Sequence, residues 1–157
     1  VTLMTPPPET GVVLDLMLYQ EAMARGKPVF GLETPMEQMS LFDSFSKSDQ
    51  IALLKDTLEH MDEIPRMFAD LKAAYLDSDL ARLVKLSHDS MPDNNPGLVD
   101  DLNRKLIVER NHRMVERMLP LLKERQQFIA VGALHLPGEQ GLLQLLNDQG
   151  YSVTVVY

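Results

Sequence analysis

"QFIAVGALHLPGEQG", Gln127–Gly141, is the stretch on which the reading of the fold turns. The segment "QFIAVGA" is apolar without alternation, as a strand covered on both faces would be. A lone imidazole, His135, follows it, and then Pro137, Gly138 and Gly141. Beyond, "GEQGLLQLLNDQG" carries a helical pattern stopped by Gly150, and "YSVTVVY" alternates as a strand does. Strand, helix and strand with short joints make a βαβ unit, for which a right-handed crossover and a parallel sheet are the default.

The N-terminal part repeats the theme. "VVLDLMLYQEAMARG" (Val12–Gly26) predicts an amphipathic helix with Val12, Leu16, Tyr19 and Met23 on one stripe. "KPVFGLE" reads as a short buried strand ending near Glu33. "TPME" then supplies an N-cap at Thr34, a proline at the first helical position and a capping-box glutamate, Glu37, so a helix is expected from Pro35 to about Phe42. From about Ser46 to Asp89 the patterns are helical only, with Ser48 placed as the first cap. "MPDNNPG" (Met91–Gly97) is a loop on its turn chemistry, and a long helix is expected from about Leu98 to Arg125. The fold class expected is α/β: helix-rich, one domain over 1–157, with a small, mainly parallel sheet. Its α/β base comprises 12–45 and 98–157, and 46–97 form a helical insertion.

Composition narrows the chemistry. The 157 residues, 45% hydrophobic and 24% charged, suit a globular domain rather than a disordered chain. Fifteen basic against 23 acidic residues leave a net charge of −8, which argues against nucleic acid or an anionic lipid surface as partner. There is no cysteine, so disulfides, thiolate metal ligands and a cysteine nucleophile are excluded. His, Asp, Glu and Asn are left to carry any metal chemistry. No run approaches the ~18 apolar residues of a membrane span. The opening "VTLMTPPPETG" reads as an entry partway through something longer.

Three places break the pattern of their own segments, and such conflicts often mark functional sites. His135 follows the end of an expected strand, where open parallel sheets collect ligands; the plainer alternative is a histidine bonded within a strand–helix joint. Glu33 also ends an apolar run, so the two would face one sheet edge. A carboxylate and an imidazole converging there suit a divalent metal or an acid/base pair, while Glu33 alone would also complement the dipole of the next helix. In "ERNHRM", Arg110 and Asn111 interrupt the face of the long helix that should be buried, whereas Glu109, His112, Arg113 and Glu116 fall on its solvated side. A buried guanidinium needs a partner, for which Glu33 or a bound anion would serve; an arginine can also bury only its stem and send its head to water. His60 in "EHMDE" and His88–Asp89 read as solvated surface, and the ten methionines as core filler.

Taken together, "LDLMLYQEAMARGKPVFGLETPMEQ", "ERNHRM" and "FIAVGALHLPGEQGLLQLLNDQGYSV" resemble the TraB/GumN family, which includes the Tiki-type proteases and bacterial pheromone-shutdown proteins. The likeness is closest to its bacterial GumN/YbaP-like branch. The order G-L-E-T, E-R-N, G-A-L-H-L-x-G is specific, although each element alone is weak. The resemblance implies a metal-dependent hydrolase fold shared distantly with erythromycin esterase-like proteins, acting on a peptide or small-molecule substrate. It implies two G-x-x-H motifs, of which Gly132–His135 matches the second; Glu33 matches the family glutamate, and Arg110 with Asn111 the helix pair. A first G-x-x-H has no counterpart here, so the expectation is the C-terminal part of a family domain, with little activity alone.

On that reading His135 would be a metal ligand, and Glu33 a second ligand or the base that takes a proton from water. Arg110 and Asn111 would orient Glu33 or hold a developing oxyanion. The ion would be Mn, Co or Zn and would be weakly held or absent here. Relatives of this kind are often periplasmic or membrane-associated. Two rivals accompany this expectation: a non-catalytic pocket that captures a peptide or anion, and a helical middle region that serves as a homo-oligomer or partner surface.

Overall fold

A computed structural model describes residues 13–92 and 95–156. The chain divides into two compact units, Val1–Leu32 and Glu33–Tyr157. In the first, helix α1 (Leu14–Ala24) leads through Gly26, whose φ of 64° is the left-handed geometry that glycine adopts freely, into a segment without regular secondary structure. No α1 residue is buried; of the expected apolar stripe, Leu16, Tyr19 and Met23 are half-exposed and Val12 lies outside the described residues.

The second unit is a succession of helices: α2 (Pro35–Asp43), α3 (Lys47–Glu59), α4 (Ile64–Leu76), α5 (Leu80–Asp89), α6 (Pro96–Asn103), α7 (Glu109–Glu124) and α8 (Leu142–Asp148). The capping box of α2 forms as its sequence requires. Thr34 accepts from the Glu37 N–H at 3.2 Å, and the Glu37 carboxylate accepts from the Thr34 N–H at 2.7 Å. The cap of α3 is Ser46 rather than Ser48, because its hydroxyl accepts the Asp49 N–H three residues on. Residues 93 and 94 of the expected Met91–Gly97 loop lie outside the described residues.

The expected long helix is continuous but not uniform. Between α6 and α7 a π-helical turn, Arg104–Val108, widens the coil, and Glu109 N–H reaches back five residues to the Arg104 carbonyl. The wide turn advances the helical phase by one residue. Leu98 and Leu102, before it, are buried with Phe45 in one cluster, against which Leu41, Leu53, Met91 and Leu106 pack. After it the buried side is Asn111, Met114, Val115 and Met118. A sheet is expected from the sequence, but no strand exists among the described residues, which overturns the α/β assignment. Of the residues expected to form strands, 27–33, 127–133 and 151–157, those described enter no ladder, and Tyr157 lies outside the described residues. Residues 127–132 and 151–156 carry no regular secondary structure, and Ala133 already opens a short helical turn.

The physical reason is that an apolar or alternating pattern reports a preference for extended backbone, whereas a strand exists only with a neighbour to exchange hydrogen bonds. Phe128 at 81% and Val156 at 88% exposure lack the cover that the sheet reading assumed.

Removing the cap hydroxyl with Thr34→Ala is expected to cost about 1 kcal/mol, with Thr34→Ser close to the parent. Urea denaturation of the three proteins measures this.

Candidate active site

α7 carries the site on consecutive residues. Arg110 points to one side and grips Glu33, which sits in the bend before α2. Its Nε donates to both carboxylate oxygens at 2.9 and 3.1 Å, and Nη2 donates to Oε2 at 2.7 Å. The Glu33 side chain is only 4% exposed and that of Arg110 19%, so this pair is shielded in a way that surface pairs are not. Nη1 of Arg110 donates to the Leu106 carbonyl at 3.0 Å, within the π turn, so the same distortion that rephases the helix helps to hold the guanidinium. Gln38 adds a longer bond to Glu33 at 3.3 Å. Burial pushes the Glu33 carboxyl up, but the hydrogen bonds and charge of Arg110, helped by Gln38 and Arg113, outweigh it and hold the carboxyl below its ordinary range.

Asn111 points inward and is fully buried. Its Nδ2 donates to the carbonyls of Gln140, at 2.6 Å, and His135, at 3.2 Å. That commitment leaves Oδ1 only the role of acceptor, and the His135 Nδ1–H donates to it at 2.7 Å. The tautomer follows: the proton is on Nδ1, and Nε2 presents a lone pair with no partner among the described residues. Burial pushes the His135 imidazole below its ordinary value, the charge of Arg110 adds to this, and Glu33 partly opposes it. The ring is therefore neutral near pH 7. A neutral imidazole with its Nδ1–H anchored and its Nε2 bare is the form that binds a metal or takes a proton.

His135 does not follow a strand. It closes a short helical turn, Ala133–His135, whose N–H returns to the Gly132 carbonyl at 2.9 Å. Gly132 needs no special allowance, since a Cβ there would meet the ring at an ordinary 3.6 Å. The glycine that geometry demands is Gly141, where a Cβ would lie 2.2 Å from the Pro137 carbonyl oxygen. The sequence signal that fits is the repeated glycine flanking "EQ" in Gly138–Gly141. Gln140 was also unexpected: its backbone bonds Asn111, and its side-chain oxygen lies 2.7 Å from His112 Nε2. Arg113, placed on the solvated side from the sequence, is half-buried. Glu37 has a second role beside its cap, an ion pair with Arg117 at 2.6 Å. With the Thr34 bonds, that partner holds its carboxyl well below the usual range.

Thus the structure ties Glu33 and His135 to neighbouring residues of one helix, each through its own partner, without a hydrogen bond between them. Beside the Glu33–Arg110 pair lies a pocket of about 180 Å³ lined by Gln38, Leu41, Phe42, Leu106 and Arg110. No group of three or more His, Asp or Glu gathers to hold a metal among the described residues. His135 Nε2 fits such an ion, but Glu33, with both oxygens on Arg110, is committed elsewhere, so the described residues do not by themselves make a complete metal site.

The order Glu33, Arg110–Asn111, His135 is now tied together spatially, and comparison with known proteins gives it a context. The model of the TraB/PrgY/gumN family matches residues 5–155. The chain belongs to that family. It is similar to metalloprotease TIKI1 of Homo sapiens and of Danio rerio, 32% identical to each over 90% of this chain. Metalloprotease TIKI2 of Danio rerio is 28% identical over the same share. The match takes in 32%, 33% and 32% of those proteins, so the chain spans about a third of the length of the curated relatives it matches. No solved structure matches.

Two outcomes are expected. Asn111→Ala leaves two carbonyls and one imidazole N–H without their partner, and at roughly 1–3 kcal/mol per orphaned buried group it should lower stability by at least about 2 kcal/mol in urea denaturation. His135 should titrate below 6.5 by NMR. Because the unfolded chain takes up that proton first, its contribution to stability falls as pH drops through 6.5, and levels off below the folded-state value.

Proposed function

We propose that this chain supplies the histidine-bearing part of a metal-dependent hydrolase of amide or ester bonds. The observation that carries the reading is the bare Nε2 of His135, held by the buried Asn111, in a chain whose family relatives include metalloproteases. A divalent ion, when bound, would lower the pKa of its water and polarise the carbonyl under attack. His135 would be one of its ligands.

The other roles belong to groups of this chain. Asn111 fixes the imidazole tautomer and ring plane, the outer-shell support that such ligands require. Arg110 keeps the Glu33 carboxylate ionised and pointed, so that it can accept a proton once a substrate competes for the guanidinium. In that event Arg110 is free to donate to the developing oxyanion. The pocket lined by Leu41, Phe42 and Leu106 is of a size for one aliphatic side chain of the substrate.

In the whole protein, His135→Ala is expected to lower peptide-amide hydrolysis by at least about 100-fold, and Asn111→Ala by about 10–100-fold through weaker metal affinity. Chelation should abolish activity, and Mn, Co or Zn should restore it. Turnover that survives His135→Ala would sink the assignment. Unchanged binding of substrate under chelation, without cleavage, would favour a capture role instead.

A further inference from the structure

Three arginines stand along one side of α7 at steps of three and four residues: Arg110, Arg113 and Arg117. The outer two each have a carboxylate. Arg110 holds Glu33 at 2.7 Å and Arg117 holds Glu37 at 2.6 Å. No carboxylate among the described residues forms an ion pair with the middle one. Glu109 is taken by Arg104, and Glu116 is exposed. The Nε of Arg113 is the one buried side-chain nitrogen or oxygen among the described residues without a hydrogen-bond partner. Its charge is nonetheless felt at Glu33, which places it in the same electrostatic neighbourhood as the site.

Charge arithmetic then favours one ligand class. Three guanidiniums against two carboxylates leave one positive charge, centred on a half-buried fork whose inner donor is unmet. A buried guanidinium nitrogen without an acceptor is costly, and a planar fork matches a carboxylate. A singly charged carboxylate balances the row. A dianionic phosphate would overshoot it and face Glu33 and Glu37 as well.

We infer that Arg113 is the anchor for a carboxylate of the ligand, which would accept from its Nε–H and a neighbouring Nη–H. Resting on the hydrolase reading, this deepens it: the substrate would be a peptide or amide with a free carboxylate near the bond that is cut. Arg113 would position and select it without touching the reacting atoms.

The test is binding followed by the arginine Nε–H signals in ¹⁵N NMR, with acetyl-dialanine, its C-terminal amide and inorganic phosphate as probes. The acid is expected to move one Nε signal, assigned to Arg113 by its loss in Arg113→Lys, while the amide leaves it in place. Arg113→Gln should weaken the acid about tenfold or more without changing the amide. Arg113→Lys, which keeps the charge and loses the fork, should fall between. An Arg110 Nε signal that stays in position, with an unchanged melting temperature, shows that the variants are folded. Equal binding of acid and amide, no response of Arg113 to the acid, or phosphate binding tighter than the acid would overturn the assignment. Since binding is read without cleavage, a failure to hydrolyse would count against the proposed reaction and leave this inference standing.

Discussion

The structure around the site depends on the side chain of Asn111. A single amide, fully buried, meets two backbone carbonyls with its nitrogen and the imidazole of His135 with its oxygen. Because an amide cannot exchange donor and acceptor ends without losing all three bonds, the ring has one tautomer and one plane. The same group fastens the segment carrying His135 and Gln140 to α7. It thereby replaces, for this part of the chain, the backbone ladder that a sheet would have provided. Apolar packing alone cannot do that, since hydrophobic contact fixes distance but not which nitrogen carries a proton.

Next to it, Arg110 solves a different problem. A carboxylate as enclosed as Glu33 would tend to take a proton, and the guanidinium prevents it at the expense of occupying both oxygens. Ionised carboxylate and neutral imidazole are therefore each bonded to one of two adjoining residues of one helix, and both are held in their deprotonated form. Burial raises the Glu33 carboxyl and lowers the His135 imidazole, while the cation of Arg110 lowers both.

How much of this was legible depended on whether the signal was local. The capping box of Thr34 and Glu37 and the continuous helix through Arg110 follow from neighbours in sequence, and both are present. The polar pair Arg110–Asn111 stood out because it occupies a face that helical spacing says is buried; the structure gives that pair its partners, Glu33 and His135. The sheet failed because pairing is non-local. "QFIAVGA" and "YSVTVVY" state a backbone preference and nothing about a neighbour, so the strands inferred from them were an extrapolation. Arg113, expected on the solvated side, is half-buried because it lies three residues after Arg110 and four before Arg117, on the border of the buried face.

That irregularity has a further implication. One extra residue in the coil at Arg104–Val108 turns everything downstream by about 100° relative to the helix before it. The apolar cluster at Leu98 and Leu102 and the polar pair at Arg110 and Asn111 are thus gears meshed by a tooth count, not only by side-chain identity. A chain one residue shorter in this interval would keep every chemical group and still aim the guanidinium and the amide at the wrong neighbours. Selection at these positions would act on the length of the segment as well as on its letters.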